Sequence, residues 1–236
     1  GLKNITGDFT NRRVKYTKSN HLVTGFDYSI GNASKISIEG FIKKYEQFPI
    51  SVLDGISLAN KGADFEVLGN EEIISIGRGK TRGIEFLFQQ KLTNNFYGIF
   101  SYTIFKSEFT DINGDYLPSV WDSKHLSSFS GGYKLKRNWE ISSRWRFAGK
   151  TPYVPYNLDA SLANYPNMVL DYSELGNLKL DNFSQLDVRL DKKWNKEKIS
   201  INFFIEILNL LAQKIPIPKE YGLNRDNYGN IINPLS

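Results

Sequence analysis

The sequence predicts an all-β chain of antiparallel, up-and-down strands. About eight of them, in four hairpins, form a transmembrane β-barrel segment with short turns and long outer loops. Three observations predict this class. Apolar side chains recur at period two over most of the chain, as they do on a strand with two unlike faces. Aromatic residues make up 14% of 236 residues, with 16 Phe and 13 Tyr against a single Met, and aromatic side chains suit a pleated, half-buried surface. The connections alternate strictly between very short turns and long excursions.

The elements follow in order. Leu22, Thr24, Phe26, Tyr28 and Ile30 face one way while His21, Asp27 and Ser29 face the other. Gly31 to Ser34 supplies turn chemistry, and alternation resumes with Ile36, Ile38 and Ile42 against Lys35, Ser37, Glu39 and Lys43. In the second hairpin Ile84, Phe86 and Phe88 oppose Glu85 and Gln89, the chain turns at Thr93-Asn94-Asn95, and Phe96, Phe100, Tyr102 and Ile104 return. The third begins at His125 with a strand of low contrast, because Ser127, Ser128, Ser130, Gly131 and Gly132 lie in it. After Lys136-Arg137-Asn138, Trp139, Ile141, Trp145 and Phe147 alternate cleanly with Glu140, Ser142, Arg144 and Arg146. The fourth sets Leu186, Val188 and Leu190 against Gln185, Asp187, Arg189 and Asp191, turns at Asn195-Lys196-Glu197 and returns through Ile199 to Ile207. The run 203–211 fits a strand or a short helix equally well.

Composition excludes several functions. Without cysteine there is no disulfide framework, thiolate metal site or cysteine nucleophile. The net charge of +5 is scattered, with only Arg12, Arg13 and Lys15, and Lys192 and Lys193, adjacent, so no nucleic-acid partner is expected. No apolar run approaches the roughly 20 residues of a membrane helix. A mean hydropathy of -0.39 is nevertheless compatible with a membrane barrel, whose strands alternate polar with apolar. The chain begins at Gly1 without an initiator Met or a signal-like segment and reads as a processed product or a fragment.

Residues 47–81, 107–124 and 149–182 join the hairpins, and each is longer than a usual connection in a compact soluble domain. Turns at one end and long loops at the other is the asymmetry of outer-membrane barrels. The polar faces carry Glu85, Glu140, Arg144, Arg146, Asp187, Arg189, Asp191 and Glu206, which can pair across strands in a polar or plugged lumen. Tyr45, Phe96, Tyr97, Trp139 and Trp194 lie near strand ends, where an interfacial girdle is expected. Alternation alone does not say which face is inside, so a soluble ligand-binding β-domain and a free-standing small barrel, porin or adhesin, stay open.

Several of these segments together resemble the C-terminal part of the barrel of TonB-dependent outer-membrane receptors. The similarity starts in His21-Leu22-Val23-Thr24-Gly25-Phe26 and Gly40-Phe41-Ile42-Lys43-Lys44-Tyr45, and continues in Gly83-Ile84-Glu85-Phe86-Leu87, Phe96-Tyr97-Gly98 and Ser101-Tyr102-Thr103. Trp121-Asp122-Ser123-Lys124-His125-Leu126 is similar to a strand-entry signature of the family, and Gly149-Lys150-Thr151-Pro152-Tyr153 to its strand exit. Leu186 to Leu190 with Lys192 and Lys193, and Ile207-Leu208-Asn209-Leu210, resemble the last strand pair and its asparagine turnoff. The resemblance covers nearly the whole chain.

It implies an outer-membrane receptor of a Gram-negative bacterium that takes up a scarce ligand: a siderophore, vitamin, peptide or oligosaccharide. It also implies outer-membrane lipid, the receptor's own plug domain and the TonB-ExbB-ExbD system as partners, and leaves room for a surface lipoprotein. Plug, TonB box and closing strand are not seen in these residues, so the chain is expected to be about a third of a barrel of about 22 strands. The polar-face charges would then contact the plug or neighbouring strands, and Tyr116, Trp121, Tyr153, Tyr156 and Tyr172 are the loop residues nominated for ligand. Packing of loops on each other is the competing role for these aromatics.

No enzyme is expected and no cofactor is implied. His21 and His125 lie in different hairpins with no serine nucleophile beside them and read as strand-entry residues. Asp111, Asn113 and Asp115 share calcium-loop spacing, but Gly114 is misplaced and the bidentate glutamate is missing, so a polar loop tip is the expectation. Gly77-Arg78-Gly79-Lys80 lacks the spacing of a phosphate loop and is expected to be a flexible loop leading to Gly83.

Overall fold

The computed structural model describes residues 11–61, 71–164 and 168–218, and the backbone of 220–221 and 234–235. One antiparallel sheet dominates. Its main strands are β1 (Lys18–Ile30), β2 (Ser34–Ser51), β3 (Ile73–Thr93), β4 (Phe96–Thr110), β6 (His125–Lys134), β7 (Trp139–Ala148), β8 (Phe183–Asn195) and β9 (Ser200–Ile207). They lie side by side in chain order, and the short β5 (Tyr116–Pro118) pairs with the outer end of β4. Residues 220–221 and 234–235 form a separate two-stranded pair. The sheet is open among the described residues, with β1 and β9 as its edges.

The four hairpins fall where the sequence puts them, because the turn residues accept left-handed backbone. Gly31 has φ 60°, and Asn94 and Asn95 have φ 47° and 76°, the two positive values that a tight two-residue hairpin turn requires. Arg137 and Asn138 are also left-handed, and Lys196 N donates to Ile199 O at 2.8 Å to close the fourth turn. The run 203–211 is resolved as strand to Ile207 followed by a turn-off, where Asn209 takes φ 51°.

The strands at the loop end are longer than alternation indicates, and Gly77 to Lys80 is not a loop. It lies inside β3, with Gly77 opposite Phe48 and Gly79 between Tyr45 and Phe109. At Gln47 the left-handed backbone (φ 56°) shifts the register and keeps Phe48 on the same face as Tyr45. The rings of Phe48 and Phe109 then meet at 4.7 Å between centroids. A Cβ on Gly77 would lie 2.6 Å from Phe48 O, and one on Gly79 2.6 Å from Phe109 Cδ1. These glycines interrupt the hydrophobic pattern because neighbouring strands crowd their backbone, the Phe48 carbonyl and the Ile50 side chain at Gly77 and the Phe109 and Tyr45 rings at Gly79.

The low-contrast strand β6 has a similar cause. A Cβ on Gly132 would sit 2.6 Å from Tyr97 Oη, because Tyr97 on β4 reaches across β6 to donate to Glu140 on β7. The serines replace side-chain bulk with hydrogen bonds: Ser127 Oγ donates to Ser101 O at 3.0 Å, and the hydroxyls of Ser101 and Ser128 are 2.8 Å apart.

Register makes the two faces continuous. Tyr28, Ile36, Phe88, Phe100, Phe129, Trp145 and Leu186 form one cross-strand row over seven strands. One residue further along each strand, Ser29, Lys35, Gln89, Ile99, Ser130, Arg144 and Asp187 form the row of the opposite face. Among the described residues no second layer of secondary structure covers the apolar face: Phe26 is 61% exposed and Ile205 54%. The buried hydrophobic residues, Ile50, Ile56, Phe109, Val120, Val154 and Leu175, all lie at the loop end or in the loops. A water-soluble sheet of this size would hide its apolar face first.

Candidate functional site

Two regions bring the sequence's polar and aromatic candidates together: the polar face of β7 to β9, and the loops above it.

On the polar face Asp187 is the hub. Arg144 Nη2 and Nε donate to its Oδ2 at 2.8 and 3.2 Å, Gln185 Nε2 donates to Oδ1 at 2.8 Å, and Asn209 N donates to Oδ1 at 2.9 Å. The asparagine turn-off is thus tied to the charge network, and Leu210 N donates to Leu186 O at 2.7 Å beside it. Arg189 forks onto Asp191 through Nε and Nη2 at 2.8 and 2.9 Å, a paired geometry that fixes both side chains. Its guanidinium lies 3.8 Å from the centroid of Phe204. Arg146 Nη2 donates to Gln185 Oε1 at 2.9 Å, and Glu140 accepts from Tyr97. Glu206 is the register partner of Arg189. Glu85 stands apart, opposite Glu39 and Thr103, and makes no ion pair among the described residues.

The girdle expectation needs correcting at two positions. Phe96, Trp139 and Trp194 lie on the apolar face at the turn end, where Lys192 Nζ is 5.1 and 5.6 Å from the Trp139 and Trp194 rings. Tyr97 and Tyr45 lie on the polar face instead, because strand parity turns each away from its apolar neighbours.

The loops pack as one unit. Ile56 from residues 52–72, Val120 from 111–124, and Val154 and Leu175 from 149–182 form a small buried core, with Leu117, Leu170 and Tyr172 against it. Ile112 N donates to Gly55 O at 2.7 Å, joining the first loop to the second. Pro118 occupies the open side of Gly176, whose φ of 90° admits little else, joining the second to the third. Helix α1 (Leu58–Lys61) ends on Lys61, whose ammonium pairs with Asp54 and Glu71 and lies 5.7 Å from the Tyr172 ring. Burial alone pulls the Lys61 pKa down, but Asp54 and Glu71 outweigh it and the net shift is upward. The cluster therefore supports the folded loops below lysine's usual pKa and loses that contribution as pH rises through the raised value. Helix α2 (Leu158–Ala163) is capped by Asn157, whose Oδ1 accepts from Ala160 N at 3.0 Å.

Of the five nominated aromatics, Trp121 is 63% exposed and Tyr116 is exposed beneath Lys80 Nζ, 3.7 Å from its ring. Tyr153 and Tyr156 are half-buried, Tyr156 in a bridge with Leu170. Tyr172 is turned inward onto the loop core. Asp111, Asn113 and Asp115 form a turn: Asp111 Oδ1 accepts from Asp115 N at 2.8 Å and its Oδ2 from Asn113 Nδ2 at 3.2 Å. Among the described residues no cluster of side chains is arranged to hold a metal ion. His21 sits within β1 against Tyr45, and His125 opens β6, with Nδ1 2.8 Å from Tyr102 Oη.

Asp122 entered the sequence reading only as part of the strand-entry signature that the chain resembles, with no contact assigned to it. It is buried, accepts from Ser107 N at 3.0 Å and holds the second loop onto β4. Burial pushes its pKa up, against the Ser107 hydrogen bond and the charges of Lys124 and Lys106. A raised carboxyl pKa means the folded state holds its proton to higher pH, so ionisation there costs stability as pH rises. Asp122→Asn keeps the acceptor and removes the buried charge. The variant is expected to melt above the wild type at neutral pH, with the gap closing as pH falls below the Asp122 titration. Parallel melts across pH in detergent check this, and a pH-independent gap would contradict it.

Solved structures similar to this chain include outer-membrane receptors. Over 89% of the chain and 25% of its counterpart it superposes on the ferripyoverdine receptor of Pseudomonas aeruginosa, at a TM-score of 0.60 and 14% identity. The ferric-catecholate import receptor Fiu from E. coli gives 0.60 at 13% identity over 90% of this chain and 26% of that one. The FrpB iron transporter from Neisseria meningitidis gives 0.56 at 17% identity over 86% and 28%. No curated protein sequence matches. The chain spans about a quarter of the length of these receptors. Their likeness shows the fold: the antiparallel meander of this chain superposes on a part of each of these receptors. A family model for the TonB dependent receptor-like β-barrel matches residues 3–210, and the chain belongs to that family, of the outer membrane of Gram-negative bacteria.

Proposed function

We propose that the intact protein is an active importer, in which this segment forms part of a closed barrel wall around a plug. In this reading the packed loops help bind a scarce ligand and TonB-ExbB-ExbD supplies energy. The observation that carries it is the pair of continuous faces: an uncovered apolar face suited to lipid, backed by a charged face suited to a filled lumen. The similar receptors are named for ferripyoverdine and ferric catecholate, so a ferric siderophore is the first ligand to test, ahead of vitamins, peptides and oligosaccharides. Trp121 and Tyr116, the exposed loop aromatics, are the first candidates for ligand contact, with Tyr153 and Tyr156 behind them. A surface lipoprotein partner would also meet these loops. Nothing in this reading requires catalysis or a cofactor.

The test is accumulation of radioiron, supplied as ferric catecholate or ferric hydroxamate, in cells with and without the gene. Loss of uptake on deletion, and equally on collapse of the proton gradient, is expected. Uptake of these chelates, cobalamin, peptides and oligosaccharides that is indifferent to deletion would overturn the proposal.

The lumenal charges carry a separate expectation. In Arg144→Leu the Asp187 carboxylate keeps only Gln185 and Asn209 N, and the polar surface offered to a plug is altered. Plug seating is expected to weaken with ligand affinity unchanged, read as greater sensitivity to an antibiotic too large to cross the intact outer membrane. Unchanged sensitivity would count against plug contact at Arg144.

A further inference from the structure

At the end of the sheet away from the loops, the turn after β6 and the turn after β8 lie side by side, because β7 and β8 are neighbours. Lys192 sits on the apolar face of β8, with Trp139 as its register partner on β7 and Phe203 on β9. Its ammonium lies 5.1 Å from the Trp139 ring and 5.6 Å from the Trp194 ring, and it donates to Arg137 O, which ties the one hairpin to the turn of the other. Trp139, Trp194, Ile201 and Phe203 around it are all exposed. A lysine on a lipid-facing surface turns its ammonium toward the membrane–water boundary, where tryptophan also settles, so these side chains mark the level of the lipid head groups.

The two turns carry further cations. Lys136 and Arg137 lie in the first, Lys196 and Lys198 in the second, and all four are exposed. Against these and Lys192, the one carboxylate within the turns is Glu197. The nearest other carboxylates, Glu140 and Asp191, lie on the polar face, where Glu140 accepts from Tyr97 and Asp191 is held by Arg189 and Asn202. Lys134 and Lys193 lie on that face as well and add no negative charge to it. Neither Lys192 nor any of the four turn cations makes an ion pair among the described residues. The centres of the two turns are two strand spacings apart, about 10 Å, so the positive charge is spread more widely than one phosphate.

On the reading that the apolar face meets lipid and the turns face the periplasm, we infer that this corner of the sheet binds an anionic glycerophospholipid of the inner leaflet, one whose head carries two phosphates. Its acyl chains lie over Phe203 and Ile201, and its phosphates meet Lys192 and the cations of the two turns. Charge complementarity selects this occupant: unpaired cations at head-group level attract an anionic head, and their spread favours two phosphates over one. The tryptophan and apolar surface beside them favours a lipid over a soluble polyanion such as a cell-wall polymer. A zwitterionic phospholipid brings its own ammonium to the same place and gains less from the turns.

The test uses the intact receptor extracted from outer membranes in mild detergent, with bound lipid counted by native mass spectrometry. The probes are cardiolipin, phosphatidylglycerol, phosphatidylethanolamine, inorganic phosphate and soluble peptidoglycan fragments. Cardiolipin is expected to be retained best on the wild type, then phosphatidylglycerol, then phosphatidylethanolamine. Its retention is expected to fall about tenfold when Lys136→Gln, Arg137→Gln, Lys196→Gln and Lys198→Gln are combined, exposed turn positions that leave the strands and Lys192 in place. Lys91→Gln, at the exposed end of β3 by a different turn, is the control and is expected to bind as the wild type. Wild-type retention in the fourfold variant, or an equal loss in the control, would overturn the inference. So would equal retention of phosphatidylethanolamine or of phosphatidylglycerol, displacement by phosphate alone, or capture of peptidoglycan fragments in place of lipid. A receptor that fractionates with the outer membrane yet retains no anionic phospholipid sinks this inference alone. One that does not reach that membrane sinks the lipid-facing reading as well.

Discussion

Ile38→Arg is expected to remove most of the protein from the outer membrane. Ile38 lies mid-strand on the apolar face, between Phe26 on β1 and Phe86 on β3, and all three belong to the row that includes Tyr102. An arginine on the lipid face at mid-depth costs about 2–4 kcal/mol in a barrel, comparable with much of a marginal fold's stability. Thr103→Lys is the matched control, because Thr103 lies on the polar face opposite Glu85, which lacks a cation. It is expected to fold normally. Outer-membrane abundance and heat-dependent gel mobility of the two variants give the answer. Equal tolerance of both would show that the apolar face is not against lipid.

The second large effect is expected in the loops. Leu175 is 5% exposed within the core that joins Ile56, Val120 and Val154, so Leu175→Ala removes its packing and leaves a cavity among three separate connections. Truncations of this kind cost about 2–5 kcal/mol. Because the loop core is separate from the sheet, the loss should appear as local opening and not as unfolding of the strands. Limited proteolysis is expected to cut residues 52–72, 111–124 or 149–182 many-fold faster than in the wild type, while the heat-modifiable barrel band is unchanged. On the import proposal, ligand affinity falls with it, since a binding surface made of loops must be held in shape before ligand arrives. Proteolysis at the wild-type rate would mean the loops do not stabilise one another.

The contrast between these two variants follows what was legible in the residues. Strand pairing is local and period two is a strong signal. The Asn94-Asn95 turn and the clean alternation of Trp139 to Phe147 with its charged neighbours therefore placed hairpins and faces correctly. The charged candidates fell on one face for the same reason, from Glu140 to Asp191. Alternation misled where side chains of one strand pack over the backbone of another. Gly77 and Gly79 look like loop residues until Ile50 is seen packed on the first and the Phe109 and Tyr45 rings on the second, and Gly132 weakens β6 to admit Tyr97.

What the sequence determined by itself is the up-and-down order of strands, the two unlike faces and the segregation of turns from loops, all consequences of neighbours along the chain. Tertiary structure alone decided three things: the inward turn of Tyr172, the burial of Asp122, and the tie of Lys192 to Arg137 O between two hairpins. Each depends on which distant segments share a register or a loop core. That is decided by packing and charge between elements, and no period in the residues encodes it.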